Sequence, residues 1–351
     1  MRLRLDNGNL DSMTGKRERV ARILDAARVS DTLLAVRART PPMWLTILTY
    51  HRVGAPSAEG TPFPDETYDA TSRTFAEQLR FLSEHFQFVT TEDVLGFLKG
   101  GSLPPNPVMI TFDDGYIECL TEALPLMADY GATGTFFIAT DAIEERKLFW
   151  WDKIYLLVER ATVDPIVLDY PQSLRLTRDE AYGALNQLVK THRGLDLERF
   201  LDHLQERTGA SLPREEEKAL ADDMLMTWEQ IDELARAGMD IQSHTRTHRV
   251  VQTLLPEQLD GELRGSRELL EERLGRPVRT LAYPVGYPIE GDETIRRALT
   301  EAGYDVAYTN QTGAQRCLGR IDPFDVRRIA MSEEYRGSMF RSVMAFPPLA
   351  Y

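Results

Sequence analysis

Cysteine and histidine are both scarce, with 2 cysteines (Cys119 and Cys317) and 6 histidines in 351 residues. Two cysteines allow at most one bridge, which excludes a disulfide framework and makes a reducing compartment the simpler reading. No run of about 18 apolar residues occurs, so no transmembrane helix is expected. Met1-Arg2-Leu3-Arg4-Leu5-Asp6-Asn7 lacks the apolar stretch of a secretory leader, and the expected location is cytoplasmic. Basic side chains are in deficit: 41 Lys and Arg stand against 55 Asp and Glu, for a net charge of −14. That balance argues against nucleic acid, which requires a basic footprint. The remaining composition, 42% hydrophobic and 27% charged, is that of a globular protein with a sizeable core.

The charge is unevenly placed. Residues 1–40 hold 9 basic and 5 acidic side chains, leaving 32 basic and 50 acidic beyond them. Within this head, Val20, Ile23, Leu24, Ala27, Leu33 and Leu34 recur at helical spacing between arginines, predicting one or two helices. Pro41-Pro42 stops them. Two fates compete for the head: peripheral contact with an anionic membrane surface, at its inner face, or packing onto the body.

Beyond Pro42, short apolar runs alternate with helical stretches, the pattern of a βα architecture. Strands are predicted over Leu45–Tyr50, Val108–Phe112, Gly134–Ala139, Met239–Ser243, Thr280–Tyr283, Asp305–Thr309 and Val326–Ala330. Thr227-Trp228-Glu229-Gln230 reads as a capping box whose helix closes at Gly238. Residues from about 149 to 224 break the rhythm. They begin Phe149-Trp150-Trp151-Asp152 and continue as charged helical sequence, far longer than the usual βα connection of about 2–6 residues. We read them as an insertion, so the expected division is 1–40, then 41–351 interrupted at about 149–224.

Two constellations carry chemistry. Asp113-Asp114 closes the apolar run Met109-Ile110-Thr111-Phe112, at the strand end where α/β folds build active sites. A turn is the competing reading, because Asp-Gly follows at Asp114-Gly115. His244 and His248 stand four residues apart at another strand end, spaced to converge on one ion. One carboxylate and two imidazoles suit a zinc-like cation with a position left open for water.

Thr111-Phe112-Asp113-Asp114-Gly115-Tyr116, Ala132-Thr133-Gly134-Thr135-Phe136-Phe137, His244-Thr245-Arg246-Thr247-His248 and Ala282-Tyr283-Pro284-Val285-Gly286 together resemble the polysaccharide deacetylase family, with its NodB homology domain (carbohydrate esterase family 4). The likeness spans about residues 43–148 and 226–331. It implies an α/β fold: a distorted (β/α) barrel of the NodB type, here with an inserted mainly helical segment and an N-terminal helical extension. It implies removal of an acyl group, usually acetyl, from an N-acetylated amino sugar, with a divalent metal as cofactor: Zn2+ first, with Co2+, Ni2+, Mn2+ or Fe2+ as alternatives. By the same resemblance Asp114, His244 and His248 become metal ligands and Asp113 the base. The backbone N–H of Val285 becomes an oxyanion donor, with Tyr116, Tyr283 and Pro284 beside the substrate.

Three departures from the family pattern stand out. Ala282 occupies the place of an arginine that holds the base. Tyr308-Thr309-Asn310-Gln311-Thr312 replaces an Asp-x-x-Asp-Trp motif. No histidine follows His248, so the usual late general acid is missing. His51 in Thr49-Tyr50-His51-Arg52-Val53 is the candidate acid, as in the branch acting on exopolysaccharides; a locally bonded strand-end histidine is the alternative. Arg328 is the substitute for the missing arginine, with Arg327 as its rival. Trp151 and Asp152, with Trp150, offer either a sugar-stacking wall or an anchor for the insertion. The runner-up functions are a deformylase or other non-peptide amide hydrolase, and a carbohydrate-binding protein without turnover. Oligomeric state is left open.

Overall fold

The structure, a computed structural model, describes residues 19, 21–25, 28–55, 63 and 68–350. Residues 1–18 of the expected N-terminal extension lie outside the described residues. Its described part is helical over 21–25 and in α1 (Val29–Arg37). The barrel elements follow in order: β1 (Trp44–Tyr50), α2 (Ser72–His85), β2 (Gln87–Phe88), α3 (Thr91–Leu98), β3 (Pro107–Phe112), α4 (Leu124–Asp129), β4 (Gly134–Ile138) and α5 (Thr140–Glu144). Then come α6 (Trp150–Glu159), β5 (Ile166–Leu168), β6 (Leu174–Leu176), α7 (Arg178–Thr191), α8 (Leu197–Thr208) and α9 (Arg214–Met224). The barrel resumes with α10 (Trp228–Arg236), β7 (Asp240–Ser243), α11 (Pro256–Leu274), β8 (Thr280–Ala282), α12 (Glu293–Ala302) and β9 (Val306–Tyr308). It ends in β10 (Gln315–Arg316), β11 (Ile329–Ala330) and α13 (Gly337–Ala345).

Parallel pairing runs β1-β3-β4-β7-β8-β9, with β10 added antiparallel to β1. The segment from Val326 to Ala330 joins the two ends of this series. Val326 bridges Tyr308 in parallel, and β11 pairs in parallel with Leu48 and Thr49 of β1. The sheet therefore curls into a distorted barrel. Its central strands are apolar on both faces, as parallel strands covered by helices must be: β1 beyond Trp44, β3 and β4 are buried throughout. Phe112 stacks on Phe136 from the neighbouring strand at 4.8 Å between ring centres.

The helices obey their local signals. Thr227 accepts from Gln230 N while the Gln230 side chain returns to Thr227 N, a cap worth about 1 kcal/mol. Ile231, Leu234 and Ala235 then bury one face of α10. The strand expected at Val326–Ala330 is regular only at Ile329–Ala330. The insertion expected to be helical also holds a two-stranded antiparallel hairpin, β5-β6.

Residues between Trp150 and Ala210 form a hydrophobic cluster of their own, including Ile154, Leu157, Ile166, Leu185, Phe200 and Leu204. α9 instead contributes Ala221 and Met224 to the barrel's main core. At the other end of the chain, Arg37 Nη1 donates to the carbonyls of Met344 (2.7 Å) and Ala345 (3.1 Å), where a helix presents its negative end. Among the described residues, no helix is long and apolar enough to cross a membrane. Cys119 and Cys317 are both free thiols.

Candidate functional site

Because the strands are parallel, the residues that follow them gather on one rim, the C-terminal face where barrels hold their chemistry. His51 follows β1, Asp113 and Asp114 follow β3, His244 follows β7 and Val285 lies just past β8. These residues line a cleft of about 540 Å³, with helices of the insertion as its opposite wall.

Asp114, His244 and His248 bring one ligand atom each to within 4.8 Å of one another, and all three side chains are buried. Asp114 Oδ1 stands 3.4 Å from His244 Nε2 and 3.1 Å from His248 Nε2. His244 Nδ1 lies 2.8 Å from the Ala282 carbonyl, which fixes the tautomer with its proton there and turns the Nε2 lone pair toward Asp114. Burial acts most strongly on Asp114, upward, but His248 and His244 outweigh it and hold its carboxyl far below the usual range. His248 is pushed down, chiefly by burial. An ionised carboxylate and a neutral imidazole are the forms that ligate metals. Asp114 Oδ1 is a buried oxygen without a hydrogen-bond donor of its own, so this donor set fits a divalent cation.

The backbone here is unusual. Asp114 (φ 78°), Thr245 (66°), His248 (55°) and Val285 (63°) all adopt left-handed conformations without being glycine. Such strain persists only where surrounding contacts over-determine it, and it clusters at functional sites. Glu262 of α11 supplies one set of contacts. Its Oε2 accepts from Arg246 N (3.1 Å) and Thr247 N (3.0 Å), and its Oε1 takes the Thr247 hydroxyl. Arg246 adds a bidentate pair to Asp141, with both bonds at 3.0 Å.

Arg328 reaches Asp113 across the barrel with two bonds, Nη1–Oδ1 at 2.8 Å and Nη2–Oδ2 at 2.7 Å. The guanidinium is fully buried and also bonds the Thr309 carbonyl and Thr111 Oγ1. Burial pushes the Asp113 carboxyl up most strongly, but the charge of Arg328 and then His244 bring it below its ordinary value. Of the two candidate arginines, Arg328 is the one bonded to Asp113; the Arg327 backbone N–H bonds Gln315 instead.

His51 is held by Asp69, which motif reasoning missed. Asp69 Oδ2 lies 3.2 Å from His51 Nδ1 and also accepts from the His51 backbone N–H at 2.5 Å. Burial, the largest influence on His51, acts downward; Asp69, through charge and hydrogen bond, with Asp114 and Asp113, raises the imidazole to about 10. Asp69 sits in a loop with no periodicity or recognisable spacing, so no sequence signal marked it.

Trp151 lies nearly parallel to Phe149 (ring centres 4.4 Å apart) and edge-on to His248 at 4.6 Å. Trp150 donates from Nε1 to the His248 carbonyl at 3.1 Å and joins the insertion's core, so it serves as an anchor as well as a wall. Tyr116, Trp150 and Trp151 line the cleft. Three residues expected beside the substrate lie outside the cleft lining. Tyr283 is fully buried with its hydroxyl donating to the Phe324 carbonyl, and neither it nor Pro284 lines the cleft. Asp152 is also buried and outside the lining, with burial raising its carboxyl to about 8. Conversely, Tyr182, Asn186, Gln187 and Lys190 of α7 face the cleft. A polar helix face reads in sequence as a solvated one.

A sequence model of the family described as polysaccharide deacetylase matches residues 100–307, more than half of the chain. YxkH of Bacillus subtilis (strain 168), which bears a polysaccharide deacetylase name, is 22% identical over 302 residues, 85% of this chain and 75% of YxkH. The Streptococcus pyogenes deacetylase PplD in complex with acetate superposes with a TM-score of 0.57 at 19% identity, covering 87% of this chain and 99% of PplD. IcaB from Ammonifex degensii gives 0.54 at 20% identity, covering 87% and 98%. At these identities the solved structures establish a shared fold. The family match over residues 100–307, on that fold, shows that this chain belongs to the polysaccharide deacetylase family.

Proposed function

We propose that the chain is a metal-dependent hydrolase that removes the N-acetyl group of an amino sugar. Its substrate would belong to a polysaccharide, a glycolipid or a sugar precursor. One observation carries the reading: Asp113, held from behind by the buried Arg328, lines the same cleft as the converging Asp114, His244 and His248. A protein that only bound carbohydrate would have no use for a buried carboxylate held ionised beside that donor set.

In this reading Asp114, His244 and His248 hold the cation, Zn2+ being the first choice. When bound, it supplies Lewis-acid polarisation of the amide and acidification of water. The chain's own groups do the rest. Asp113, fixed by both guanidinium bonds, accepts the proton of the attacking water. The Val285 N–H donates to the developing oxyanion. His51, oriented by Asp69, gives a proton to the departing nitrogen. The amide C–N bond breaks, and acetate and the free amine leave.

Acetate release from N-acetylated amino sugars, with Asp113→Asn as control, tests the proposal. A zinc-loaded protein that releases neither acetate nor formate overturns it; formate alone supports the deformylase alternative. The proposal places the protein in the cytoplasm, and residues 1–40 at the inner face of the membrane remain part of it, supported by the excess of basic side chains there. Liposome sedimentation of the chain with and without these residues, at low and high salt, tests that part; equal sedimentation overturns it.

A further inference from the structure

Helix α7 presents two different faces. Ala181, Leu185, Leu188 and Val189 are buried in the insertion's own core. Tyr182, Asn186 and Lys190 recur at four-residue spacing, which makes them a single stripe, and all three line the cleft. The buried face thus fixes where the polar stripe points.

Lys190 stands out within that stripe. Lys99, Lys147, Lys153 and Lys218 each have a carboxylate within ion-pairing distance. Among the described lysines Lys190 alone has none, in a chain whose acidic side chains far outnumber its basic ones. It is half-buried, and burial lowers its ammonium below the ordinary value. The C-terminal end of α7, whose last turn holds Lys190, offsets part of the cost of a cation without a carboxylate partner beside a partly dry cleft, and a bound anion offsets more.

Gly183 adds a second observation. A glycine inside a helix costs about 1 kcal/mol relative to alanine. Yet a Cβ built at Gly183 meets no atom within 4 Å, so packing within the protein does not require it. The absent side chain leaves the helix backbone open to the cleft beside Tyr182.

We propose that this face of α7 is the binding site for a phosphate group carried by the amino-sugar substrate, with Lys190 supplying the charge and Tyr182 and Asn186 flanking it. The inference rests on the deacetylase reading and names its substrate class: a phosphate- or pyrophosphate-linked N-acetylamino sugar, in place of a neutral glycan. A lysine binds phosphate as a point charge, and the arginine fork, which matches phosphate as well as carboxylate, can replace it. Asp69, Asp113 and Asp114 on the barrel rim repel a polyanion, but one anionic group held on the insertion wall is accommodated.

The test is binding to the full chain without added metal, measured by calorimetry. UDP-N-acetylglucosamine and a detergent-solubilised lipid pyrophosphate of N-acetylglucosamine represent the two carriers, and the N-acetylglucosamine trimer is the neutral comparison. Lys190→Ala is expected to weaken either phosphate ligand by about tenfold, the scale of one charged hydrogen bond, with recovery in Lys190→Arg. The ligand showing this loss identifies the carrier. Equal weakening of phosphate and neutral ligands, no weakening, or no phosphate-ligand binding by the wild type overturns the inference. Thermal unfolding of Lys190→Ala separates it from a helix-end role, because an unchanged midpoint with lost binding is not a structural effect. Deacetylation by the zinc-loaded protein is assayed separately, so binding without turnover overturns the deacetylase reading and leaves the phosphate site standing.

Discussion

Arg328 and Asp113, 215 residues apart in the chain, meet through two parallel hydrogen bonds inside the barrel, with both side chains excluded from water. Arg328→Ala leaves a buried carboxylate without its partner, and destabilisation of about 3–5 kcal/mol is expected from thermal or denaturant unfolding. Arg328→Lys keeps the charge but loses the fork. Asp113 must be ionised to accept a proton, and without the guanidinium its burial pulls the carboxyl upward. The acidic limb of the rate profile of Arg328→Lys therefore moves to higher pH. An unmoved limb would show that Arg328 does not tune Asp113.

His51 carries the second pH prediction. A proton donor loses activity as pH rises through its pKa, and His51 is raised to about 10, so with His51 as donor the wild-type basic limb is expected well above neutrality. Asp69→Asn removes the main upward influence, and the limb moves to lower pH. His51→Ala is expected to lower kcat by about 10²–10⁴-fold. The loss shrinks for activated amides whose leaving nitrogen needs no proton. Full activity in His51→Ala assigns the proton donor elsewhere.

Removal of a metal ligand is expected to lower zinc affinity by at least about a hundredfold, since even losing a ligand's supporting hydrogen bond costs about 10–100-fold. Asp114→Ala, His244→Ala and His248→Ala, in competition with a chromogenic chelator, provide the measurement. Chelation of the wild type is expected to abolish acetate release, and added Zn2+ to restore it; release that survives chelation would overturn the metal requirement.

Glu262 touches no expected ligand directly, yet it ties down the Arg246-Thr247 turn between two of them. Glu262→Gln keeps the size but replaces one acceptor oxygen with a donor. A zinc affinity about tenfold weaker is expected from its role in holding His248. Equal affinity in the variant and the wild type means the turn holds its shape unaided.

The parts of the site visible in the sequence were those compressed into short runs. Asp113-Asp114 and His244-x-x-x-His248 each bring their side chains to one point with little help from distant chain. The parallel barrel was visible for a similar reason, because each strand is a local apolar run ended by a turn. Contacts set by tertiary position were harder to see. Nothing local separates Arg328 from Arg327; only strand register sends one inward. Tyr283 sat in a motif yet turns to the Phe324 carbonyl, because a buried phenol needs an acceptor. The hairpin β5-β6 rests on two strands of three residues each, too short for alternation to register.

The segment that joins the barrel's ends also sets when the site can exist. Chains emerge from the ribosome N-terminus first at about 5–20 residues per second, so Asp113 waits roughly 10–40 s for Arg328 to be made. Until then the carboxylate has no guanidinium, and the last edge of the barrel is unpaired. Competence is thus withheld from any chain that ends before Arg328, and synthesis of the closing segment is itself a checkpoint on when this site is assembled.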